Sequence, residues 1–209
     1  MGNKSLNLIK LFGGYDFHPV IILPDQYEVF DFANGNNSDR AALNPFGIGK
    51  YNEQRPNMYN LDLFLEKGCN QQKRDVHMGI DLGAPEGTPV YAFLDGKIFC
   101  KTVNSALGDY GGTLITSHQI KKLRFWVLYG HLRHHSIEDL KKGASFKKGD
   151  VIAHVGSKLE NGGWPPHVHV QISLIKPNCC DMPGVVSTLD LQMALRIYPD
   201  PRLILGQLY

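Results

Sequence analysis

The sequence predicts a mainly β protein: an antiparallel β-sheet or sandwich with few short helices and a loop-rich N-terminal extension. Three observations carry that prediction. From about residue 75 onward, short runs of β-branched and aromatic residues alternate with turn signals such as Asp95-Gly96 and Lys148-Gly149-Asp150. Helical patterning is confined to residues 187–198 and short stretches at 61–66 and near Ser136. Residues 1–70 stand apart, being rich in Asn, Pro and Gly.

The expected organisation is an extension at 1–70 packing on a β core at 71–175, with a C-terminal extension and short helix at 176–209. Residues 20–23 and 27–32 read as short strands, 33–56 as a long loop and 61–66 as a short helix. A loop that long inside a compact unit is usually functional or disordered. Strands 88–94 and 97–103 are expected to pair across Asp95-Gly96, and 113–117 and 123–129 make a second pair. Ser136 is the expected N-cap of a short helix, with Asp139 reaching back. Strand 151–155 follows Lys148-Gly149-Asp150, and the Gly- and Pro-rich loop 156–166 feeds strand 167–174. Pro199 stops the terminal helix 187–198.

Composition narrows the function classes. A hydrophobic fraction of 43% with 20% charged residues over 209 positions suits one substantial domain that needs no disulfide staples. A net charge of +2 is too mild to imply nucleic acid or an anionic membrane as partner. The lysine pairs 121–122, 141–142 and 147–148 read as solvated turns. The longest apolar runs, 20–23 and 125–129, are far too short to span a bilayer. No signal-peptide pattern is visible, so a cytoplasmic location is the default expectation, with unconventional export as the other route. Cys69, Cys100, Cys179 and Cys180 show no CxxC pairing and are expected as reduced thiols, with a structural zinc cluster, or a disulfide in the event of unconventional export, as the alternatives.

The chemistry concentrates in four histidines and an aspartate: His77-Met-Gly-Ile-Asp81, then His131 after Tyr129-Gly130, then His167-Val-His169. Two imidazoles and a carboxylate hold zinc while leaving one position open for water; the other two histidines would handle protons. On strand 167–174, alternation puts Val168, Val170 and Ile172 on one face and His167, His169, Gln171 and Ser173 on the other. The two imidazoles are then about 7 Å apart along the strand. A fully extended 77–81 would separate its two ligands by roughly 13 Å, so the segment must bend, and Gly79 is where it can. Gly130 frees the backbone before His131, at an expected strand end. His18, His118, His134, His135 and His154 read as ordinary loop or strand histidines outside the site.

In order and in intervening sequence, this set resembles the lysostaphin-type (LytM-like) zinc endopeptidases. The resemblance covers about residues 75–175 and includes Gly87-Thr88-Pro89-Val90-Tyr91-Ala92, Asp95-Gly96-Lys97-Ile98, Tyr129-Gly130-His131-Leu132 and Lys148-Gly149-Asp150-Val151-Ile152-Ala153. It implies zinc ligands at His77, Asp81 and His169 and catalytic histidines at His131 and His167, in an enzyme cutting peptide or peptidoglycan-like amides. A narrower likeness, to a peptidase-like module of multidomain aminotransferase-type proteins, extends to Tyr51-Asn-Glu-Gln-Arg55, Gly163-Trp164-Pro165-Pro166-His167 and Asp200-Pro201. The segment before His167 departs from wall-cutting members, which carry small hydroxylated residues where this chain has Trp164 and two prolines. Latent relatives place an asparagine of the preceding segment in the open zinc position; Asn44, Asn52 and Asn57 are candidates for that, and Arg55 for shaping a substrate pocket.

Two other readings compete. A non-catalytic binding module would use the same fold, usually with an eroded ligand set, whereas all five positions are present here. Residues 87–98 and 148–153 also resemble lipoyl or biotinyl carrier domains, but no modifiable lysine with small or methionine neighbours sits at a hairpin tip.

Overall fold

The computed structural model describes residues 2–34, 44–66 and 72–209, and of residues 2–6 the backbone alone. In chain order, α1 (Gly2–Phe12) precedes two short strands, β1 (Glu28–Val29) and β2 (Gly47–Gly49). After a single 3-10 turn at Asp62–Phe64 come β3 (Val76–His77), β4 (Ile80–Gly83) and β5 (Pro89–Tyr91). The long strands β6 (Gly96–Asn104), β7 (Gly111–Ile120) and β8 (Leu123–Leu132) follow. Then come α2 (His134–Glu138), β9 (Ser145–Phe146), β10 (Val151–His154), β11 (His167–Ser173) and β12 (Val185–Val186). Helices α3 (Leu191–Ile197) and α4 (Arg202–Leu205) come last.

Eight of these strands form one sheet in the order β1-β2-β4-β11-β8-β7-β6-β9. Every pairing in it is antiparallel except β1 with β2. Strand alternation decides its two faces. Val168, Val170 and Ile172 of β11, Leu114 of β7, and Val127 and Tyr129 of β8 are fully buried in the main core. Each such Val or Ile contributes about 1.5–3 kcal/mol by leaving water. Phe12 of α1, Ile204 of α4, and Val90 and Ile152 of the β5–β10 pair close over that face. The opposite face carries a smaller cluster, Ile115, Trp126 and Leu128 with Tyr110 and Met182. Beside it lies the polar row that forms the site.

Several local expectations give way to tertiary structure. Strand β5 pairs with β10, while β6 joins β7 and β9, so Asp95-Gly96 carries the chain between layers instead of closing a hairpin. Val90 and Ala92 bury over the sheet, a place that a strand paired within it cannot share. Val20 and Ile21 are core residues without being a strand, and of 27–32 only Glu28–Val29 pair. Helix α2 starts two residues before Ser136, whose Oγ instead donates to the Arg133 carbonyl at 2.7 Å. The lysine pairs are exposed as expected, and Lys121 turns the β7–β8 hairpin at φ 53°. No helix among the described residues is long and apolar enough to cross a membrane.

Cys100 of β6 and Cys180 form a disulfide across 80 residues of sequence, which corrects the expectation of reduced thiols. Strand order brings the two together; their spacing carries no signal. Cys179 is free and exposed. Cys69 lies outside the described residues, as do residues 35–43 of the expected long loop.

His118 was expected in a turn, but it is a core residue of β7. Its ring packs 4.5 Å from Phe93 and 5.5 Å from Phe125, and its Nδ1 donates to the Asp95 carbonyl at 3.0 Å. Burial pushes its pKa down to about 4, against the smaller opposing effect of that carbonyl. The folded value lies below the ordinary one of about 6.5, so the unfolded chain binds the extra proton between the two. The stabilisation is therefore whole above about pH 6.5 and lost as pH falls through 4, approaching about 3 kcal/mol. Urea melts across that range should show a shallower pH dependence in His118→Gln, by close to one proton. Equal slopes would refute it.

Candidate metal centre

Register across the sheet assembles the site. Gly49 of β2 faces Asp81 of β4, Asp81 faces His169 of β11, and His169 faces Gly130 of β8. Both flanking positions of this row are glycine, which leaves room for the two side chains between them. A Cβ on Gly49 would lie 2.6 Å from Asp81 Oδ2 and 2.8 Å from an Arg55 nitrogen. His167, two residues before His169 on the same strand face, is the next member, and its Nε2 lies 3.7 Å from Asp81 Oδ1. The strand face that carries them is covered, so a merely solvent-facing pair of histidines is excluded.

His77 arrives from β3. The chain breaks between β3 and β4 at Met78-Gly79, which supplies the bend expected there. Gly79 also admits the His169 ring, since a Cβ at that position would collide with its Cε1 and Nε2. Residues 52–55 run beside β3 and fix it: His77 N donates to the Glu53 carbonyl at 3.0 Å, and Arg55 N to the Asp75 carbonyl at 2.8 Å.

His131 reaches the site by a bulge. Alternation alone would point it with Tyr129 into the core. Between the Leu114↔Tyr129 and Gly112↔Leu132 pairs, however, β8 spends one more residue than β7. His131 takes φ 63°, a left-handed conformation that costs a non-glycine residue about 1–2 kcal/mol. Its N donates to the Tyr110 carbonyl at 2.7 Å and its carbonyl accepts from Gly156 N at 2.9 Å. Bulges of this kind re-aim side chains beside active sites. The strand thus runs on through His131 to Leu132, past the strand end expected from Gly130.

Three ligand atoms converge. His77 Nε2, Asp81 Oδ1 and His169 Nδ1 form a triangle with edges of 3.0, 3.1 and 3.1 Å. Tetrahedral zinc with bonds of about 2.0–2.1 Å would require edges of about 3.3 Å. Proton positions follow from the outer partners. His77 Nδ1 donates to the Lys50 carbonyl at 2.8 Å, and His169 Nε2 to Gln171 Oε1 at 3.1 Å. Arg55 Nη2 also lies 3.0 Å from His77 Nδ1; with the His77 proton assigned to Nδ1 toward Lys50 and that of His169 to Nε2 toward Gln171, both inward nitrogens present lone pairs beside a carboxylate oxygen. Burial alone would push the Asp81 carboxyl up, but the pull of His77 when protonated, and of the permanently charged Arg55, outweighs it and holds Asp81 well below the usual carboxylate range. Burial, then Arg55, lowers His77 to about 4. Two neutral imidazoles and one carboxylate, with no proton among their three inward atoms, repel one another unless a cation lies between them. The donor set fits zinc.

His131 and His167 flank the triangle, ring centroids 4.2 Å apart. Each has its Nδ1 proton committed to a backbone carbonyl, His131 to Asn161 at 2.8 Å and His167 to Pro165 at 2.7 Å. Their Nε2 atoms keep free lone pairs. Burial lowers the pKa of both, well below the ordinary range for His131. All five residues line one cavity of about 240 Å³. Its walls are aromatic: Phe30, Phe32 and Tyr59 from the N-terminal segment, Tyr110, and Trp164 from the loop before β11. Trp164 Nε1 donates to the Gly108 carbonyl at 3.2 Å, and the buried Asn161 side chain holds the loop backbone. Of the candidate asparagines, Asn44 lines the cavity, while Asn52 N donates to the His77 carbonyl at 2.8 Å.

Sequence reasoning did not identify the groups that fix the imidazoles. Gln171 was legible, since alternation puts it beside His169. The carbonyls of Lys50, Asn161 and Pro165 carry no side-chain signal, and neither the Glu53–Arg55 pair nor Tyr110 stands in a pattern that spacing reveals.

An antiparallel β protein with two imidazoles and a carboxylate converging beside two further histidines presents the donor set that a single-metal hydrolase site uses. The model of Peptidase family M23 matches residues 75–179, and the chain belongs to that family. The curated relative DD-carboxypeptidase/endopeptidase Mpg of Neisseria meningitidis is 35% identical over 96 residues, 46% of this chain and 20% of the relative. The chain thus spans about a fifth of the length of that relative. Among solved structures, a point mutant of the catalytic domain of the prophage-encoded M23 protein EnpA from Enterococcus faecalis is 26% identical. That match covers 68% of this chain and 88% of the solved catalytic domain, with a TM-score of 0.45. The catalytic domain of lysostaphin from Staphylococcus simulans is 20% identical, covering 71% and 92%, with a TM-score of 0.38. These matches lend no support to the narrower likeness to aminotransferase-type proteins.

Proposed function

We propose that this chain is a zinc-dependent metalloendopeptidase that hydrolyses an amide bond in peptidoglycan-like peptides, with His77, Asp81 and His169 as ligands. The observation that carries the reading is the triangle of donor atoms with edges of 3.0–3.1 Å. Zinc, when bound, supplies a Lewis acid that acidifies water and polarises a carbonyl. The chain supplies the proton handling. One of His131 and His167 takes the proton of the attacking water on Nε2 and, as the imidazolium, can return it to the leaving amine; the other donates toward the developing oxyanion only in the form that carries a proton on Nε2. Their carbonyl-bound Nδ1 protons keep each imidazolium stabilised while it exists. The aromatic walls exclude water and offer flat faces to an extended peptide.

Membership of family M23 and the name of the Neisseria relative support the peptidoglycan direction, and that name also warns that carboxypeptidase and endopeptidase cleavage should both be assayed. The Cys100–Cys180 disulfide favours action outside the reducing cytosol, in place of the cytoplasmic default. The test is a panel of muropeptides and short Gly- or D-amino-acid peptides incubated with the zinc-loaded chain, products read by mass spectrometry. Cleavage that a chelator stops and zinc restores is the expected result. An uncut panel from a folded chain with zinc stoichiometry near zero would overturn it in favour of a binding module.

A further inference from the structure

Arg55 is 2% exposed, an unusual place for a guanidinium in a segment that precedes the family-matched region. Each of its nitrogens lies against a protein partner. Nε donates to Glu53 Oε2 at 2.9 Å, and Nη1 to Asp81 Oδ2 at 2.8 Å and to Tyr59 Oη at 3.1 Å. Nη2 lies 3.3 Å from the Lys50 carbonyl and 3.0 Å from His77 Nδ1. The plane rests on the Phe32 ring, 4.7 Å from its centroid. Glu53 is anchored in turn: its Oε1 accepts from Phe32 N at 3.1 Å and meets Lys50 Nζ at 3.1 Å. Arg55 lines the cavity, as expected of a residue shaping it, with its nitrogens turned to these protein partners.

We infer that Arg55 is a positioning residue for the metal site, acting through Asp81 and His77, with Glu53 as its anchor. The inference rests on the zinc reading above. By holding Oδ2, Arg55 turns the carboxylate so that Oδ1 alone points into the triangle. By lying against the Lys50 carbonyl, it fixes the acceptor that sets the His77 tautomer. The fork geometry does this: two ligands are oriented by one rigid plane, which a lysine cannot reproduce. Metal affinity and ligand geometry therefore depend on a residue that never touches the ion.

The test compares the full chain with Arg55→Lys and Glu53→Gln. Zinc affinity is measured by competition with a chromogenic chelator, ligand geometry by the visible spectrum of bound Co²⁺, and folding by circular dichroism. Arg55→Lys keeps the charge, so affinity about 10–100-fold weaker with an altered cobalt spectrum isolates the lost fork. Glu53→Gln should shift both readouts the same way and by less. An Arg55→Lys chain that folds and binds with unchanged affinity and spectrum overturns the inference. Should that variant not fold, an unchanged Glu53→Gln does so. A wild-type chain that takes up neither metal overturns the zinc reading itself, which Arg55 could not have caused.

Discussion

His169→Ala and Asp81→Asn should each abolish zinc uptake and lower peptide hydrolysis by more than about a thousandfold, because the Lewis acid that acidifies the attacking water is lost. The triangle explains why either change is enough. Its atoms lie 3.0–3.1 Å apart, so all three can reach one ion and the loss of any one leaves an incomplete donor set. Zinc should accordingly stabilise the wild-type chain by about 4 kcal/mol at a free concentration a thousand times Kd. Neither variant should gain from added zinc. The variants differ in the metal-free state. His169→Ala removes one repelling lone pair, whereas Asp81→Asn leaves Arg55 without one of its two carboxylates, and a buried charge losing its partner costs about 3–5 kcal/mol. Calorimetric melts with and without zinc read both effects. A zinc-dependent rise in melting temperature that survives in Asp81→Asn would sink the ligand assignment.

The strand that carries His167 and His169 was legible because alternation is local: a His-Val-His-Val-Gln-Ile run can only put its imidazoles and glutamine on one face. The bend at Gly79 was legible for the same reason, since an extended segment cannot bring residues four apart to one ion. What failed to show was everything set by partners distant in sequence. Thr88–Leu94 offered a hairpin with its neighbour, yet β5 pairs with β10, some sixty residues on. The aim of His131 depends on a bulge opposite Gly112, and no single strand announces a bulge in its pairing. The imidazole tautomers are set by backbone carbonyls, which every residue has. Cys100 and Cys180 meet only because the loop after β11 folds back onto β6. Even His118 looked like a turn residue until the three phenylalanine rings around it were in place.

Removing either flanking histidine should separate chemistry from metal binding. His131→Ala and His167→Ala are expected to keep zinc at wild-type stoichiometry and lose about 10²–10⁴-fold in kcat, the range for a general acid or base. The distinction follows from geometry, since the Nδ1 atoms of both rings are tied to the Asn161 and Pro165 carbonyls and neither ring belongs to the triangle. His131→Ala should also relieve the left-handed backbone at φ 63° only in part, because alanine dislikes that region as well; His131→Gly is the control for strain. The pH profile adds a sign. Burial lowers both pKa values, and a dication nearby would lower them further, so the neutral, proton-accepting form prevails down to below about pH 6.5. Activity should therefore hold as pH falls through 6.5 and drop only at lower values, where the base becomes protonated. Wild-type turnover in both alanine variants, or an acid limb centred well above pH 7, would remove the two histidines from the mechanism and leave the triangle to act alone.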